Sequence, residues 1–206
     1  MRSSIYINSV FINCPFDTDY GALLEALIFA VYDCGFIARC SLETVDSGEV
    51  RINKIVKLIA KCKYGIHDIS RTELDTRSKL PRFNMPLELG LFLGACAFGN
   101  GKQKKKVCLV LDKSRYRFQK FCSDISGQDI SAHKGRPAKA IILVRDWLRS
   151  HTKDKIPTGQ LIVRRYAQFR KSMPEMCRAL KLDHRSIGYS DYITLVNLWL
   201  KENKSF

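Results

Sequence analysis

Short, continuously apolar runs alternate along this chain with longer segments whose apolar residues recur at helical spacing. Such runs are typical of strands buried on both faces of a parallel sheet, and the intervening segments are typical of helices that cover those faces. The predicted strands span residues 5–13, 36–42, 64–70, 107–112 and 128–133. The predicted helices span residues 20–34, 50–62, 86–98, 114–126, 137–148, 160–180 and 190–202.

This alternation predicts an α/β fold, a flavodoxin-like three-layer sandwich with a central parallel sheet of about five strands and a small C-terminal helical extension. We place the α/β domain at residues 1–150 and the basic helical extension at residues 151–206, with the polar stretch 151–159 as the linker. The last helix has an apolar face that the preceding helix, the main domain or another subunit must cover. A homo-oligomer, or a partner subunit bound through the C-terminal helices, is therefore an expectation.

The positive charge of the chain lies in its second half. The formal net charge is +15, and residues 1–100 carry 11 Lys and Arg against 11 Asp and Glu, whereas residues 101–206 carry 24 against 9. A basic half of this kind is suited to a polyanion such as nucleic acid or to an acidic partner subunit. We interpret the cluster Lys102, Lys104, Lys105 and Lys106 as a solvated turn before a strand.

Neither a membrane span nor a secretion signal is predicted. Charges interrupt the most apolar stretches, and the N-terminal residues lack the apolar block and small-residue cleavage site of a signal peptide. The eight cysteines are scattered singly without a C-x-x-C pair, so we expect reduced core residues rather than disulfides or a metal site. These features predict a cytoplasmic protein.

Residues 64–98 contain a predicted strand and a predicted helix, each with an acidic residue near the loop that joins them. A short apolar strand ends in Asp68, a polar loop follows, and a largely apolar helix begins at Pro86. Glu88 is expected in the first turn of that helix, where burial raises the pKa of a carboxyl group and the helix dipole lowers it. A glutamate retained only for the helix dipole is the alternative interpretation.

The run Met85-Pro86-Leu87-Glu88-Leu89-Gly90, after a strand that ends in an acid and a loop, resembles the nucleoside 2-deoxyribosyltransferases and the related bacterial Toll/interleukin-1-receptor (TIR) domains that cleave NAD. The likeness covers about residues 5–150. In both groups a glutamate at the start of such a helix acts on the ribose beside an N-glycosidic bond. The resemblance therefore implies that Glu88 is catalytic and that NAD or a nucleotide is the substrate, with no separate cofactor.

Polar residues after the predicted strands converge at the carboxyl edge of the sheet, where ligands bind in folds of this class. Asp68 is a second candidate catalytic residue, which could hold the ribose or the base; a loop-capping aspartate is equally consistent with its position. The candidate substrate-binding residues are Asn13, Phe16, Asp17, Arg51, Ser70, Arg71, Arg82 and Asn84. Arg51 could pair with a phosphate or form a surface salt bridge, and Phe16 could stack on a base or belong to the core. We expect His67 and His133 to be structural.

The leading hypothesis is an N-glycosidase that hydrolyses the ribose–base bond of NAD or a related nucleotide; the resemblance also implies a role in bacterial antiphage defence. Residues 81–85 replace the glycine- and acid-rich loop typical of the transferases, and Arg82 favours a phosphorylated substrate. A nucleoside or nucleotide 2-deoxyribosyltransferase is the second hypothesis. The third is a non-catalytic nucleotide-sensing module whose basic half binds nucleic acid or a partner.

Overall fold

One sheet of five parallel strands organises the protein, for which the computed structural model describes residues 2–74, 79 and 82–203. The strands are β1 Ser9–Asn13, β2 Ile37–Arg39, β3 Tyr64–Asp68, β4 Val107–Asp112 and β5 Ile130–Ala132, in the spatial order β2-β1-β3-β4-β5. Neighbouring strands are all parallel, and in the central pair Val10 lies beside Tyr64. Every strand therefore presents its carboxyl end at the same edge of the sheet.

Helices cover both faces of this sheet. They are α1 Arg2–Asn8, α2 Gly21–Asp33, α3 Arg51–Lys61, α4 Asn84–Phe98, α5 Pro137–His151, α6 Gly159–Ala179 and α7 Tyr189–Glu202. Successive residues of β1 point to opposite faces. Val10 and Ile12 pack in one core cluster with α2 and α5, whereas Phe11 packs in a second cluster with α3 and α4. The predicted α/β three-layer architecture, with a five-stranded parallel sheet and C-terminal helices, is confirmed.

The first predicted strand is wrong over residues 5–8, which end the helix α1. Strand pairing begins only at Ser9 with β2 and at Val10 with β3, so residues before Ser9 have no neighbouring strand among the described residues. Ile5 and Ile7 are 49% and 46% exposed, although both fit a buried strand pattern. Ser9 Oγ donates a hydrogen bond to the carbonyl of Ile5 at 2.7 Å, which satisfies one backbone acceptor near the end of α1.

The predicted helix at 114–126 is also wrong. This segment contains two short 3-10 helices, Arg117–Lys120 and Ser123–Ile125. Tyr116 precedes the first of them with a φ of 63°, in the left-handed region, where an α-helix cannot continue. The spacing of the aromatic residues predicted a helix here, but the left-handed backbone at Tyr116 prevents a continuous α-helix.

Lys106 is the exception in the lysine cluster that we expected to be solvated. Lys106 is only 6% exposed, and its Nζ donates hydrogen bonds to the carbonyl of Ile59 at 2.6 Å and to the carbonyl of Cys62. These carbonyls lie at the C-terminal end of α3, where a cation interacts favourably with the helix dipole. Burial nevertheless lowers the pKa of Lys106 to about 8. Proximity to a helix terminus thus explains a buried lysine that charge patterning placed at the surface.

The C-terminal helices pack directly on the sheet domain. Helix α6 contacts α5 and α2, and α7 contacts α2 and α6. The ring of Phe169 lies between the rings of Phe29, Tyr192 and Trp199, with centroids 5.3, 5.7 and 6.0 Å away. The apolar face of α7 is thus covered within the chain, which removes the reason for expecting another subunit on that face.

The described residues contain no helix that is long and apolar enough to cross a membrane. All eight cysteines are free thiols. Five are buried, namely Cys14, Cys34, Cys40, Cys62 and Cys177, and the other three are partly buried. The burial of these five agrees with the expectation that most cysteines are core residues.

We expect Phe169→Ala to lower the free energy of unfolding by about 3–5 kcal/mol, because it leaves a cavity between three aromatic rings. Urea denaturation followed by circular dichroism measures this change. The matched control is Phe98→Ala, since Phe98 is 92% exposed and its loss should change the free energy by less than about 0.5 kcal/mol. Equal effects of the two substitutions would contradict the packing described here.

Candidate functional site at the carboxyl edge of the sheet

Loops from the central strands diverge at the carboxyl edge of the sheet. The loop after β1 leads to α2 on one face, whereas the loops after β2 and β3 lead to α3 and α4 on the other face. A divergence of this kind opens a crevice beside the strand ends, and ligands of doubly wound folds bind in such crevices. The candidate residues lie around this divergence.

Glu88 is buried at the start of α4. Its side chain is only 8% exposed, and its neighbour Leu89 packs in a core cluster with Met85 and with Val110 of β4. Helix α4 begins at Asn84, two residues earlier than predicted, so Glu88 is the fifth helical residue and lies beyond the first turn. The favourable effect of a helix N-terminus decreases within that turn. Burial dominates and raises the pKa of Glu88 to about 7.

Arg51 lies beside this carboxyl group. Its Nη2 lies 3.9 Å from Glu88 Oε1 and donates a hydrogen bond to Ser41 Oγ at 3.4 Å. The Arg51 side chain is 58% exposed, and its charge lowers the pKa of Glu88 against the larger effect of burial. The site therefore pairs a buried carboxyl group, poised between its two protonation states near neutral pH, with a cation that solvent can reach.

The side-chain amide of Asn13 connects β1 to α4. Nδ2 donates to the carbonyl of Met85 at 2.8 Å and lies 3.1 Å from His67 Nδ1. Burial, together with the charge of Lys106, lowers the pKa of His67 to about 3, so its ring is neutral and accepts this contact through Nδ1. Asn13 and His67 therefore fix the first turn of α4 on the strand ends, which agrees with a structural role for His67.

Asp68 is fully buried and surrounded by donors. Tyr20 donates its hydroxyl to Oδ2 at 2.5 Å, and the backbone N–H of Ser70 donates to Oδ1 at 2.9 Å. His133 Nε2 lies 3.0 Å from Oδ2, outside hydrogen-bond geometry, while its Nδ1 accepts from the backbone N–H of Gly135. These contacts connect the end of β3 and Ser70 to the 3-10 turn before α2 and to the segment after β5.

Asp17 forms ion pairs with two of the candidate arginines. Its Oδ1 accepts from Arg71 Nη2 at 3.0 Å, and its Oδ2 lies 3.4 Å from Arg82 Nη1. Oδ1 also accepts from the backbone N–H of Tyr20, which caps the 3-10 turn before α2. Arg71 bonds Asp19 as well, at 2.9 Å. A cavity of about 190 Å³ lies here, lined in part by Arg71 and Tyr20.

The candidate residues therefore form two groups on either side of the end of β1. Glu88 and Arg51 lie on the α3–α4 side, whereas Asp17, Asp68, Ser70, Arg71 and Arg82 lie on the side that faces α2. Cys14 directly follows β1, and burial, together with the charges of Asp68 and Glu88, raises the pKa of its thiol. Phe16 is 36% exposed rather than part of the core, and Asn84 is exposed at the start of α4.

Sequence reasoning missed two residues of the site, Ser41 and Tyr20, and one contact of a third, His133. Ser41 follows β2, which ends at Arg39, but the predicted strand continued to residue 42 and hid this position. Tyr20 resembled the first apolar residue of a helix. The structural role predicted for His133 is consistent with its contacts, but no local pattern indicated Asp68 as its neighbour. The polar residues that follow each strand end are the signal that could have identified Ser41.

Comparisons with known proteins find no match to a protein family, to a curated protein or to a solved structure. Among the described residues, no group of three or more His, Cys, Asp or Glu side chains is arranged to hold a metal ion.

We expect Glu88→Gln to stabilise the protein at pH 8 relative to the natural chain, but not at pH 4.5. The pKa of Glu88 rises from 4.5 when unfolded to about 7 when folded, so its contribution to stability decreases as the pH rises through this window. The difference in free energy of unfolding between the two proteins should grow by about 3 kcal/mol across the window, since one pKa unit corresponds to about 1.4 kcal/mol.

Urea denaturation at pH 4.5, 6 and 8 measures this difference. Glu175→Gln is the matched control, because Glu175 is exposed on α6 and makes the same chemical change without burial. A difference that stays constant with pH for Glu88→Gln would show that the carboxyl group ionises as it does in water.

Proposed function

We propose that this protein hydrolyses the N-glycosidic bond between the ribose and the base of NAD or a related nucleotide. The observation that carries the proposal is the buried carboxyl group of Glu88 at the carboxyl edge of the parallel sheet, beside the exposed guanidinium of Arg51. The proposal rests on this pairing together with the sequence resemblance at residues 85–90.

The chemistry requires a negative charge beside the sugar. As the bond between ribose C1′ and the base breaks, positive charge develops on the sugar, and the electron pair of the bond leaves with the base. A carboxylate that is already desolvated stabilises this charge more than one in water, because its field is less screened. Water then adds to C1′ and releases a proton, so that NAD and water give nicotinamide, ADP-ribose and a proton.

The residues around Glu88 suit a phosphorylated nucleotide. Arg51 has donors exposed to solvent and can bind a phosphate oxygen in two-point geometry. Phe16, exposed on the loop after β1, offers a face on which a base can stack, and Asn84 is exposed at the start of the same helix as Glu88. In this proposal Arg51 binds the phosphates and Glu88 acts on the ribose.

Asp68 has a positioning role in the same proposal. Its two oxygens accept from Tyr20 and from the backbone of Ser70 inside the protein. Arg71 and Arg82 form ion pairs with Asp17. These contacts connect the residues just after β3, and Arg82 just before α4, to residues that follow β1.

We expect Glu88→Gln to lower the rate of nicotinamide release from NAD by at least about 100-fold, as for the loss of a group that stabilises transition-state charge. Chromatography of reactions with NAD, nucleotides and deoxynucleosides measures the free base. Glu175→Gln is again the control, and circular dichroism confirms folding. A fully active Glu88→Gln variant would remove Glu88 from the mechanism, and release that occurs only with an added acceptor base would indicate a transferase.

The rate of hydrolysis should also increase with pH. Because the reaction requires the anionic form of Glu88, kcat/KM should rise as the pH increases through about 7. Arg51 lowers the pKa of Glu88, so Arg51→Gln should move this rise to higher pH, in addition to raising KM for a phosphorylated substrate. Lys153→Gln, an exposed change of equal charge, is the control. An unchanged pH profile in Arg51→Gln would contradict the coupling of the two groups.

A further inference from the structure

A large cavity lies away from Glu88, beside the carboxyl ends of β4 and β5 and the start of α5. Its volume is about 830 Å³, which is within the range of small-molecule sites. β4 and β5 are separated from β1 and β2 by β3, and none of the residues lining this cavity contributes to the surroundings of Glu88 or Arg51. The cavity is therefore a separate feature of the same edge.

Positive charge dominates the walls of this cavity. Arg115, Lys134, Arg136 and Lys139 line it, against the single acid Asp129. No side-chain hydrogen bond or ion pair connects these five residues to another described residue. Like charges grouped without acidic partners repel one another, so a bound anion would relieve this repulsion.

The first turn of α5 adds to the positive potential. Arg136 occupies the N-cap position without a side-chain cap, Pro137 follows, and the turn contains no acid but does contain Lys139. Basic residues are unfavourable at a helix N-terminus, where the partial charge is already positive. Phosphate groups are the ligands that such helix ends accommodate best.

The remaining walls provide apolar and aromatic surface. Phe118, Ile130 and Leu143 line the cavity, and Phe118 is only 3% exposed. Tyr116 is 66% exposed at its edge. Tyr116 and Lys134 both have left-handed backbones, with φ of 63° and 57°, a conformation that costs free energy for residues other than glycine. The fold thus holds one aromatic and one cationic side chain at this cavity in a strained conformation.

We infer that this cavity binds a nucleoside polyphosphate. The phosphates lie against Arg115, Lys134, Arg136 and Lys139, and the base stacks on the ring of Tyr116. Four cations against one acid match the three to four negative charges of a nucleoside di- or triphosphate. The inference does not depend on the proposed hydrolase activity, since it uses different residues.

Isothermal titration calorimetry in 150 mM salt tests nucleotide binding in this cavity, with ATP, ADP, adenosine and inorganic triphosphate as probes. We expect ATP to bind, adenosine not to bind, and triphosphate to bind more weakly than ATP. The double variant Arg136→Gln/Lys139→Gln should weaken ATP at least tenfold. Tyr116→Asn, which tolerates the left-handed backbone, should weaken ATP several-fold and leave triphosphate unchanged.

A matched double variant makes the result decisive. Lys153→Gln/Lys155→Gln removes the same charge from exposed positions outside the cavity and should leave ATP binding unchanged. The inference is overturned if ATP does not bind, or if Arg136→Gln/Lys139→Gln binds ATP as tightly as this control does, since ATP would then lie elsewhere on the protein. Binding of a single-stranded oligonucleotide without binding of ATP would likewise overturn it, in favour of nucleic acid.

Discussion

The hydrogen bond from the Asn13 side chain to the carbonyl of Met85 is the contact on which the geometry of the Glu88 site depends. It joins the end of β1 to the first turn of α4, and the neutral ring of His67 supports the same amide. Because this turn is held against the strand ends, Leu89 enters the core and Glu88 is buried beside it. A helix that began elsewhere or tilted away would leave the carboxyl group in solvent, where its charge would be screened and its pKa ordinary.

Burial of this carboxyl group opposes folding increasingly as the pH rises from 4.5 to about 7, and the rest of the structure supplies the compensating stability. Apolar packing does this on both faces of the sheet, most extensively where Phe29, Phe169 and Trp199 join α2, α6 and α7. Arg51 offsets part of the cost of the Glu88 charge without removing it, since its own side chain remains half exposed. A desolvated group that is only partly compensated is a common property of catalytic sites.

The fold determines where the excess positive charge of the second half of the chain lies. The second half supplies β4, β5, α5 and the cationic cavity, so the excess positive charge faces the carboxyl edge as well as the outer helices. The neutral first half supplies the strands and loops around Glu88. Parallel topology is what brings the two halves together, because it directs the end of each strand to one edge whatever its position along the chain. One edge of the sheet thereby carries two chemically different regions.

The sequence by itself determined the architecture, because buried parallel strands and helices leave periodicities that local composition carries, and it nominated Glu88 and Arg51 for the same edge. The sequence prediction failed at residues 5–8, which have an apolar pattern typical of a strand but precede the start of strand pairing at Ser9. It also failed at residues 114–126, where the left-handed backbone of Tyr116 interrupts a pattern typical of a helix. Only the tertiary structure decided which candidate residues meet: Glu88 with Arg51, Asp17 with Arg71, and Asp68 with Tyr20 and His133. Those pairings join residues far apart in the chain, and both the burial of a carboxyl group and its protonation depend on neighbours that no local pattern records.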